Sequence, residues 1–260
     1  MQDSRSNKWL GSGWKMHRTL GEAQAYAESL RRFVEHEHPS VHLFVVPPFT
    51  ALSIVCRILS GTQVQVGAQN MHWADGGAFT GEISPLMIRD CGAEIVELGH
   101  SERREYFAET DYSVNKKVLA AFRHGLRPLI CVGETLAEKE FDVAEPSVQR
   151  QVKIALRGVP PDRVPSVMIA YEPVWAIGDT GSPAEPGYAN HIHGIIRNTI
   201  AESYCAQTSR TISILYGGSV NFGNAESFIQ QPEVDGLFVG RASWEVDSFI
   251  ELIELIQQSS

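Results

Sequence analysis

Apolar and β-branched residues recur along the chain in short runs, each of the length expected of a buried strand. The predicted strands are Trp9–Leu10, Val41–Val46, Val64–Val66, Ile95–Leu98, Leu129–Val132, Val167–Ala170, Ile212–Leu215 and Leu237–Val239. Between most of them, apolar residues repeat at the spacing of an amphipathic helix. These predicted helices include Leu20–Val34, Val114–Arg123, Val148–Leu156, Ala189–Tyr204 and Ser243–Ile256. The alternation, unbroken by a linker, predicts a parallel sheet in an α/β protein.

Eight strand–helix units within 260 residues favour closure of the sheet into a (β/α)8 barrel. A doubly wound open sheet is the competing architecture, but no G-x-G-x-x-G follows the first predicted strand. We therefore expect a single barrel domain across residues 1–260, in which residues 1–7 form a flexible N-terminal extension.

Nearly every predicted strand is followed by a cluster of small, polar or charged residues. Because the loops that follow the strands of such a barrel form one face, side chains far apart in sequence would converge there. Catalytic candidates are therefore expected within these clusters. The clusters read GSGWKMH, PPFT, GAQNMHW, GHSERR, GET, EPVWAIG, YGGS and GRAS.

The composition narrows the possible classes of function. Charged residues make up 20% of the chain and hydrophobic residues 43%, as in ordinary globular proteins. The formal net charge of -9, without any basic run, argues against a nucleic-acid partner. No apolar stretch approaches the ~20 residues that span a bilayer, and the first residues lack a signal-peptide core. Four widely spaced cysteines indicate reduced thiols, so we expect a cytoplasmic protein without membrane contact.

The segment 167–182 is the strongest candidate for chemistry. A buried strand delivers Glu172 to its end, because Pro173 cannot continue the ladder, and a glycine-bearing loop follows. Lys15 and His100 follow the first and fourth predicted strands. A carboxylate, an imidazole and an ammonium can together move a proton next to a carbonyl group and stabilise the enediolate. A strand cap, a surface lysine and a structural histidine are the simpler explanations of each residue alone, but their placement on three strand ends favours a proton-transfer site.

A phosphate site is predicted after the last two strands. Gly217–Ser219 follows the seventh strand, and Gly240 follows the eighth, just before a helix start at Ala242–Ser243. Barrels often bind phosphate there through converging backbone N–H groups. Gly178, in the loop after the sixth strand, adds a fourth glycine to the expected site.

Motifs in the same order along nearly the whole chain resemble those of the triosephosphate isomerase family. The resemblance implies the TIM-barrel fold of that family, a single-domain (β/α)8 architecture. The motifs are WKM at 14–16, PPFTAL at 47–52, GAQN at 67–70, GAFTGEIS at 77–84, LGHSERR at 98–104, CVGETL at 131–136, AYEPVWAIG at 170–178 and LYGGSV at 215–220.

The resemblance implies a role for each candidate. Glu172 would be the base that moves a proton between adjacent carbons, and His100 would be the electrophile, as a neutral imidazole. Lys15 would bind the substrate, and Glu102 would be the acid beside it. The chemistry would need neither a metal nor an organic cofactor. The positions that match phosphate-binding residues of the family are Gly178, Ser219 and Gly240.

The resemblance also implies a closing lid and a homodimer. The segment 176–184 would close over the substrate, a small phosphorylated sugar, and exclude water. The turn 69–82 would reach into a partner subunit and place Thr80 near the neighbouring site. The lid residues are Ala176, Ile177, Asp179, Thr180, Gly181 and Ser182.

The departures from the family pattern are concentrated at the site. Gly13 stands where the family has a substrate-binding asparagine, and His17 stands where a second asparagine is usual. The lid sequence GDTGS is followed by Pro183, and Arg241 replaces the second glycine of a phosphate turn. We expect Gly13 to open space beside the reacting carbons. Arg241 either adds a donor near the phosphate or points away from it.

These departures favour altered specificity, because the proton-transfer residues are unchanged. They resemble the branch that isomerises L-erythrulose 1-phosphate to D-erythrulose 4-phosphate in erythritol-type catabolism, as do the MHWADGGAFTGEISP loop and GRASW. A four-carbon ketose phosphate has one hydroxymethyl group more than dihydroxyacetone phosphate, and the space at Gly13 would accommodate it. Triosephosphate isomerisation in glycolysis and gluconeogenesis is the alternative, and a non-catalytic sugar-phosphate-binding barrel is a third hypothesis.

Two histidine pairs raise the question of a metal site. His36 and His38, like His191 and His193, are two residues apart, so their rings would point to different faces of a helix. Neither pair is preorganised for a metal. We expect four solvated helix residues and no metal site.

Overall fold

Eight parallel strands form a closed barrel in the computed structural model, which describes residues 8–178 and 183–259. They are β1 (Trp9–Gly13), β2 (His42–Val46), β3 (Val64–Ala68), β4 (Ile95–Leu98), β5 (Arg127–Val132), β6 (Met168–Tyr171), β7 (Ser213–Tyr216) and β8 (Gly236–Val239). Each strand pairs with the next along the chain, and the pairing of β1 with β8 closes the barrel. The predicted (β/α)8 barrel is confirmed.

Eleven α-helices within the described residues pack around the strands. They are α1 (Leu20–Glu37), α2 (Phe49–Leu59), α3 (Pro85–Asp90), α4 (Ser101–Phe107), α5 (Asp111–Arg123), α6 (Leu136–Glu140), α7 (Ala144–Ala155), α8 (Pro186–Ser203), α9 (Ala206–Thr211), α10 (Ala225–Ile229) and α11 (Val246–Gln258). The five predicted helices correspond to α1, α5, α7, α8 and α11. Helix α11 begins later than predicted, because Arg241–Ser243 forms a separate 3₁₀ turn.

The strands are apolar throughout because both of their faces are buried. On β4, Ile95 packs inside the barrel, whereas Val96 packs outward in the larger cluster between strands and helices. The residues that fill the barrel interior are Phe44, Val46, Ile95, Leu129, Cys131, Met168, Ala170, Leu215 and Phe238.

Strand β6 ends where the sequence predicts. Its last residue is Tyr171, and Glu172 follows at the carboxyl end of the strand. The backbone N–H of Glu172 still donates to the carbonyl of Val132 on β5, at 2.7 Å. Pro173 has no N–H with which to continue the ladder. The barrel therefore delivers this carboxylate to the same edge as the loops that follow the other strands.

The expectation of four solvated histidines is wrong for His193. This residue is fully buried on α8, where Ala189 and Ile196 share its face at helical spacing. Its Nδ1 donates to the carbonyl of Glu233 at 3.2 Å, and burial lowers the pKa of the imidazole to about 3. The residue is a neutral core histidine. The three other histidines of the two pairs are exposed, as expected: His36, His38 and His191.

The predicted N-terminal extension, residues 1–7, lies outside the described residues. None of the described helices combines the length and the apolar character needed to cross a membrane. All four cysteines are free thiols, and Cys56 and Cys131 are buried whereas Cys205 is exposed.

Candidate active site

A cavity of about 570 Å³ lies at the carboxyl ends of the strands. The predicted catalytic residues all line it, although they come from loops after β1, β4 and β6. The predicted substrate-binding residues line it as well. These two sets are Lys15, His100, Glu102 and Glu172, and Gly13, Gly178, Ser219, Gly240 and Arg241.

Glu172 is 2% exposed, and its two carboxylate oxygens face different partners. Oε2 accepts the backbone N–H of Ser101 at 3.2 Å, and Oε1 lies 3.5 Å from Nε2 of His100. The backbone of Glu172 packs so closely on Gly133 that a Cβ there would lie 1.8 Å from the Glu172 carbonyl oxygen. The carboxylate therefore sits on a rigid support, next to the imidazole.

His100 is the N-cap of α4, and its hydrogen bonds define its protonation. Its Nδ1 accepts the backbone N–H of Glu102 at 3.2 Å, so this nitrogen carries no proton. The ring is thus a neutral imidazole that carries its proton on Nε2, the nitrogen that faces Glu172.

Lys15 adopts a left-handed backbone conformation, with φ of 50°, which is uncommon outside glycine. Gln69 stabilises it by donating from Nε2 to the carbonyl of Lys15 at 2.7 Å. The ammonium of Lys15 donates to Oε1 of Glu102 at 2.6 Å. Partial burial raises the pKa of Glu102, but the hydrogen bond from Lys15 and the neighbouring positive charge outweigh it, so the net pKa is lowered. This ion pair holds a positive charge at the cavity.

The glycine-rich turns after β7 and β8 form one wall of the cavity, because these two strands are neighbours. Backbone N–H groups in such turns are well suited to bind an anion. Arg241 is exposed and also lines the cavity, where its guanidinium adds positive charge. The residues of this wall include Gly217, Gly218, Ser219, Gly240 and Arg241.

The residues on either side of the predicted lid are held to the barrel through Glu134. Its carboxylate accepts hydrogen bonds from Tyr171, from Nε1 of Trp175 at 2.8 Å and from Tyr188 of α8. Beyond Trp175, Ala176 is buried, whereas Ile177 and Gly178 line the cavity. The rest of the predicted lid tip, Asp179, Thr180, Gly181 and Ser182, lies outside the described residues.

The expectation of open space beside Gly13 is wrong. The ring of Phe238, on β8, occupies the volume, and a Cβ at Gly13 would lie 2.9 Å from its Cζ. The ring also stacks on Phe44, with centroids 5.4 Å apart. His17 packs on Trp244 with ring centroids 3.8 Å apart, and Trp244 donates to the carbonyl of Gly13 at 3.1 Å. Aromatic packing therefore replaces a polar side chain here.

Glu97 is a cavity residue that the sequence analysis missed. It lies on β4, is 6% exposed and lines the cavity beside Glu172. Burial raises the pKa of its carboxyl to about 7. The sequence carries a sign of it, because an acid interrupts the otherwise apolar strand IVEL. We call Gly13, Phe238 and Glu97 the cavity floor.

Two carboxylates and a thiol lie together at this point. Glu97, Cys131 and Glu172 offer potential ligand atoms within 4.8 Å of one another. A metal would need Cys131 as a thiolate. Burial, together with the charges of Glu172 and Glu97, raises the pKa of the thiol well above its usual range. A protonated thiol makes this a poor metal site.

Thr80 lies in the exposed segment 75–82 and is not among the described residues that line the cavity.

Comparison with known proteins identifies the family to which the chain belongs. The sequence profile of the triosephosphate isomerase family matches residues 8–256. An L-erythrulose-1-phosphate isomerase of Mesorhizobium japonicum is 50% identical over 246 residues, which cover 94% of this chain and 95% of the relative. A protein of the same name from Brucella abortus is also 50% identical, over 94% of both chains. Another, from Rhizobium meliloti, is 47% identical over 98% of this chain and 99% of the relative. The chain therefore belongs to the triosephosphate isomerase family.

Proposed function

We propose that the protein isomerises L-erythrulose 1-phosphate to D-erythrulose 4-phosphate. The observation that carries the proposal is the meeting of Glu172, His100 and Lys15 in one cavity. The names of relatives that are 50% identical over 94% of the chain support the four-carbon substrate. The reaction would belong to erythritol-type carbohydrate catabolism.

In the proposed mechanism Glu172 is the base. Its carboxylate removes the proton from C3 of the ketose, and the C2 carbonyl becomes part of a 2,3-enediolate. Nε2–H of His100 donates to the oxygens on C2 and C3, while the ammonium of Lys15 offsets the negative charge that develops there. Glu172 then returns the proton to C2, which leaves the carbonyl group on C3. The pairing with Glu102 fixes the position of the Lys15 ammonium.

The phosphate binds, in this proposal, to the wall built from the turns after β7 and β8. Ser219, Gly240 and Gly178 supply backbone N–H groups, and Arg241 supplies a charged donor. The lid, residues 176–184, closes over the complex and excludes water, which protects the enediolate from loss of phosphate. Proton transfer of this kind needs neither a metal nor an organic cofactor.

We further propose a homodimer that acts in the cytoplasm. The segment 75–82 is exposed in the single chain, and Thr80 at its tip would reach the site of the partner. Large apolar side chains nearby are also exposed, which is typical of an interaction surface. They are Phe79, Leu86 and Met87. Light scattering coupled to gel filtration would give twice the chain mass of 28.8 kDa, and a fully active monomer would contradict the dimer.

Side-by-side kinetics with two substrates test the function. We expect kcat/KM for L-erythrulose 1-phosphate to exceed that for dihydroxyacetone phosphate by at least about 10-fold, which corresponds to ~1.4 kcal/mol. Triose phosphate turnover at ordinary enzyme rates, about 1–10³ per second, without turnover of the tetrulose phosphate would instead indicate a triosephosphate isomerase. Binding of both compounds without turnover of either would indicate a sugar-phosphate-binding protein.

A further inference from the structure

Glu97 lies on a face of β4 that otherwise packs apolar side chains. Side chains two residues apart on a strand point the same way, so Glu97 shares the inward face with Ile95. Its pairing partner on β5 is Leu129, which also belongs to the interior cluster. A buried carboxyl group costs free energy unless it has polar partners. Its presence in this layer therefore calls for a function.

The carboxyl group of Glu97 lies one contact away from the proposed base. Cys131 donates from Sγ to Oε1 of Glu97 at 3.8 Å, and the nearest polar atoms of Glu97, Cys131 and Glu172 lie within 4.8 Å of one another. Gly13, which also lines the cavity, has no side chain, and the ring of Phe238 covers that position. Glu97 is thus the ionisable group of the cavity floor.

The protonation of Glu97 follows from the groups that face it. Burial is the main influence and raises the pKa of Glu97 to about 7. The charges of Glu172 and Glu102 act in the same direction, and the charge of Lys15 opposes them, as would that of His100 if it were protonated. Below neutral pH the carboxyl group therefore retains a proton that it can donate. Above neutral pH it becomes a carboxylate, which only accepts. Cys131, from β5, is a neutral thiol.

We propose that Glu97, as a neutral carboxyl group, donates a hydrogen bond to the hydroxymethyl group of the four-carbon substrate and so determines the preference for it. This inference rests on the proposed function. The reacting carbon must approach Glu172 to about 3–3.5 Å. In L-erythrulose 1-phosphate the extra hydroxyl oxygen is two bonds from that carbon. A carboxyl group within 4.8 Å of Glu172 is well placed to meet it.

The hydrogen bond contributes to selectivity because only one of the two substrates can make it. Dihydroxyacetone phosphate has a hydrogen in place of the hydroxymethyl group, so it leaves the buried donor of Glu97 without a partner. Leaving a buried polar group unpaired costs about 1–3 kcal/mol, which corresponds to roughly 5- to 150-fold in relative kcat/KM. The proton-transfer chemistry is the same for both substrates.

Two substitutions at Glu97 test the proposal. Glu97→Leu removes the donor at similar volume, and we expect it to lower kcat/KM for L-erythrulose 1-phosphate by about 30-fold. The value for dihydroxyacetone phosphate should not fall and should rise by about 5-fold or more, because the leucine variant lacks the donor that this substrate leaves unpaired. Glu97→Gln keeps an N–H donor and should retain most of the preference. Glu94→Gln, at the exposed entry to the same strand, is the matched control and should behave as wild type.

A pH series provides the second measurement, which does not require the leucine variant to fold. In wild type, the ratio of kcat/KM for the two substrates should fall as the pH rises from 6 to 8.5, because Glu97 loses its donor proton. In Glu97→Gln the ratio should stay constant. The ratio cancels titrations that act on both substrates, such as those of the substrate phosphate.

The outcomes separate the two proposals. If wild type does not turn over L-erythrulose 1-phosphate, the proposed function is wrong. If wild type does so but the Glu97 variants change kcat/KM equally for both substrates, or the wild-type ratio is independent of pH, the role of Glu97 is wrong and the function stands.

Discussion

The proposed proton-transfer group, Glu172, His100 and Lys15, differs from the cavity floor in the contacts that hold it in place. Backbone geometry positions the first: Ser101 N–H binds Glu172, Glu102 N–H binds His100, and a left-handed residue presents the ammonium. Side-chain packing builds the second, through an aromatic ring beside a glycine and a buried acid. Contacts made by backbone N–H groups persist when neighbouring side chains are substituted, whereas a contact between two side chains can be lost with one substitution. Chemistry and substrate choice can therefore vary independently on this barrel.

The largest expected effect on catalysis is at Glu172, in the proton-transfer group. Glu172→Gln keeps the shape but removes the base, so kcat should fall by about 10³-fold on both substrates. Glu172→Asp moves the carboxylate back by one methylene and should lower kcat more than it raises KM. Steady-state kinetics would measure both, with Glu251→Gln on the exposed face of α11 as the control. Loss of binding with unchanged kcat would contradict the role of base.

The next effect concerns how the buried carboxyl group of Glu97 makes the free energy of unfolding depend on pH. The pKa of Glu97 rises from an ordinary 4.5 in the unfolded chain to about 7 in the fold. The wild-type free energy of unfolding should therefore fall as the pH rises from 4.5 through 7, by up to about 3 kcal/mol. Glu97→Gln has no such loss, so it should gain stability relative to wild type over this range.

Urea denaturation at pH 5, 6.5 and 8, at one protein concentration, would measure this difference. A stability difference between Glu97→Gln and wild type that does not change with pH would show that the Glu97 carboxyl is not held in a protonated state by the fold.

A smaller effect is expected at Lys15. Lys15→Met keeps the length of the side chain but removes the charge beside the developing enediolate, so kcat/KM should fall by about 10²-fold on both substrates. Lys153→Met, on the outer face of α7, is the matched control. Values within twofold of wild type would mean that the ammonium does not contact the substrate.

The smallest expected effect concerns the packing of Gly13 against Phe238 in the cavity floor. Gly13→Asn forces a side chain against Phe238, and such overpacking should lower the free energy of unfolding by about 1–2 kcal/mol. The displaced cavity floor should also lower kcat/KM by roughly tenfold. Phe238→Leu should relieve the clash, so the double variant recovers activity and prefers triose phosphate more than wild type does. A double-mutant cycle would measure the coupling, and strictly additive effects would refute contact between the two positions.

Much of the fold and of the reaction site could be predicted from local patterns. Apolar runs placed all eight strands, and Pro173 marked the end of β6, because strand formation and termination depend on neighbouring residues. The convergence of Lys15, His100 and Glu172 followed from the barrel rule that loops after strands share one face. Resemblance to a known family supplied the remaining roles.

Other features became visible only in the closed barrel. IVEL is an apolar strand with one acid, and which face carries Glu97 depends on the register in which β4 pairs with β5. The ring that covers Gly13 comes from β8, a strand far away in sequence that meets β1 only on closure. His193 is buried because α8 turns that face to the core. The sequence by itself determined which groups come to the strand ends as candidates for proton transfer, since strand ends are set locally. Tertiary structure decided what surrounds the substrate, since packing joins residues that no local pattern connects.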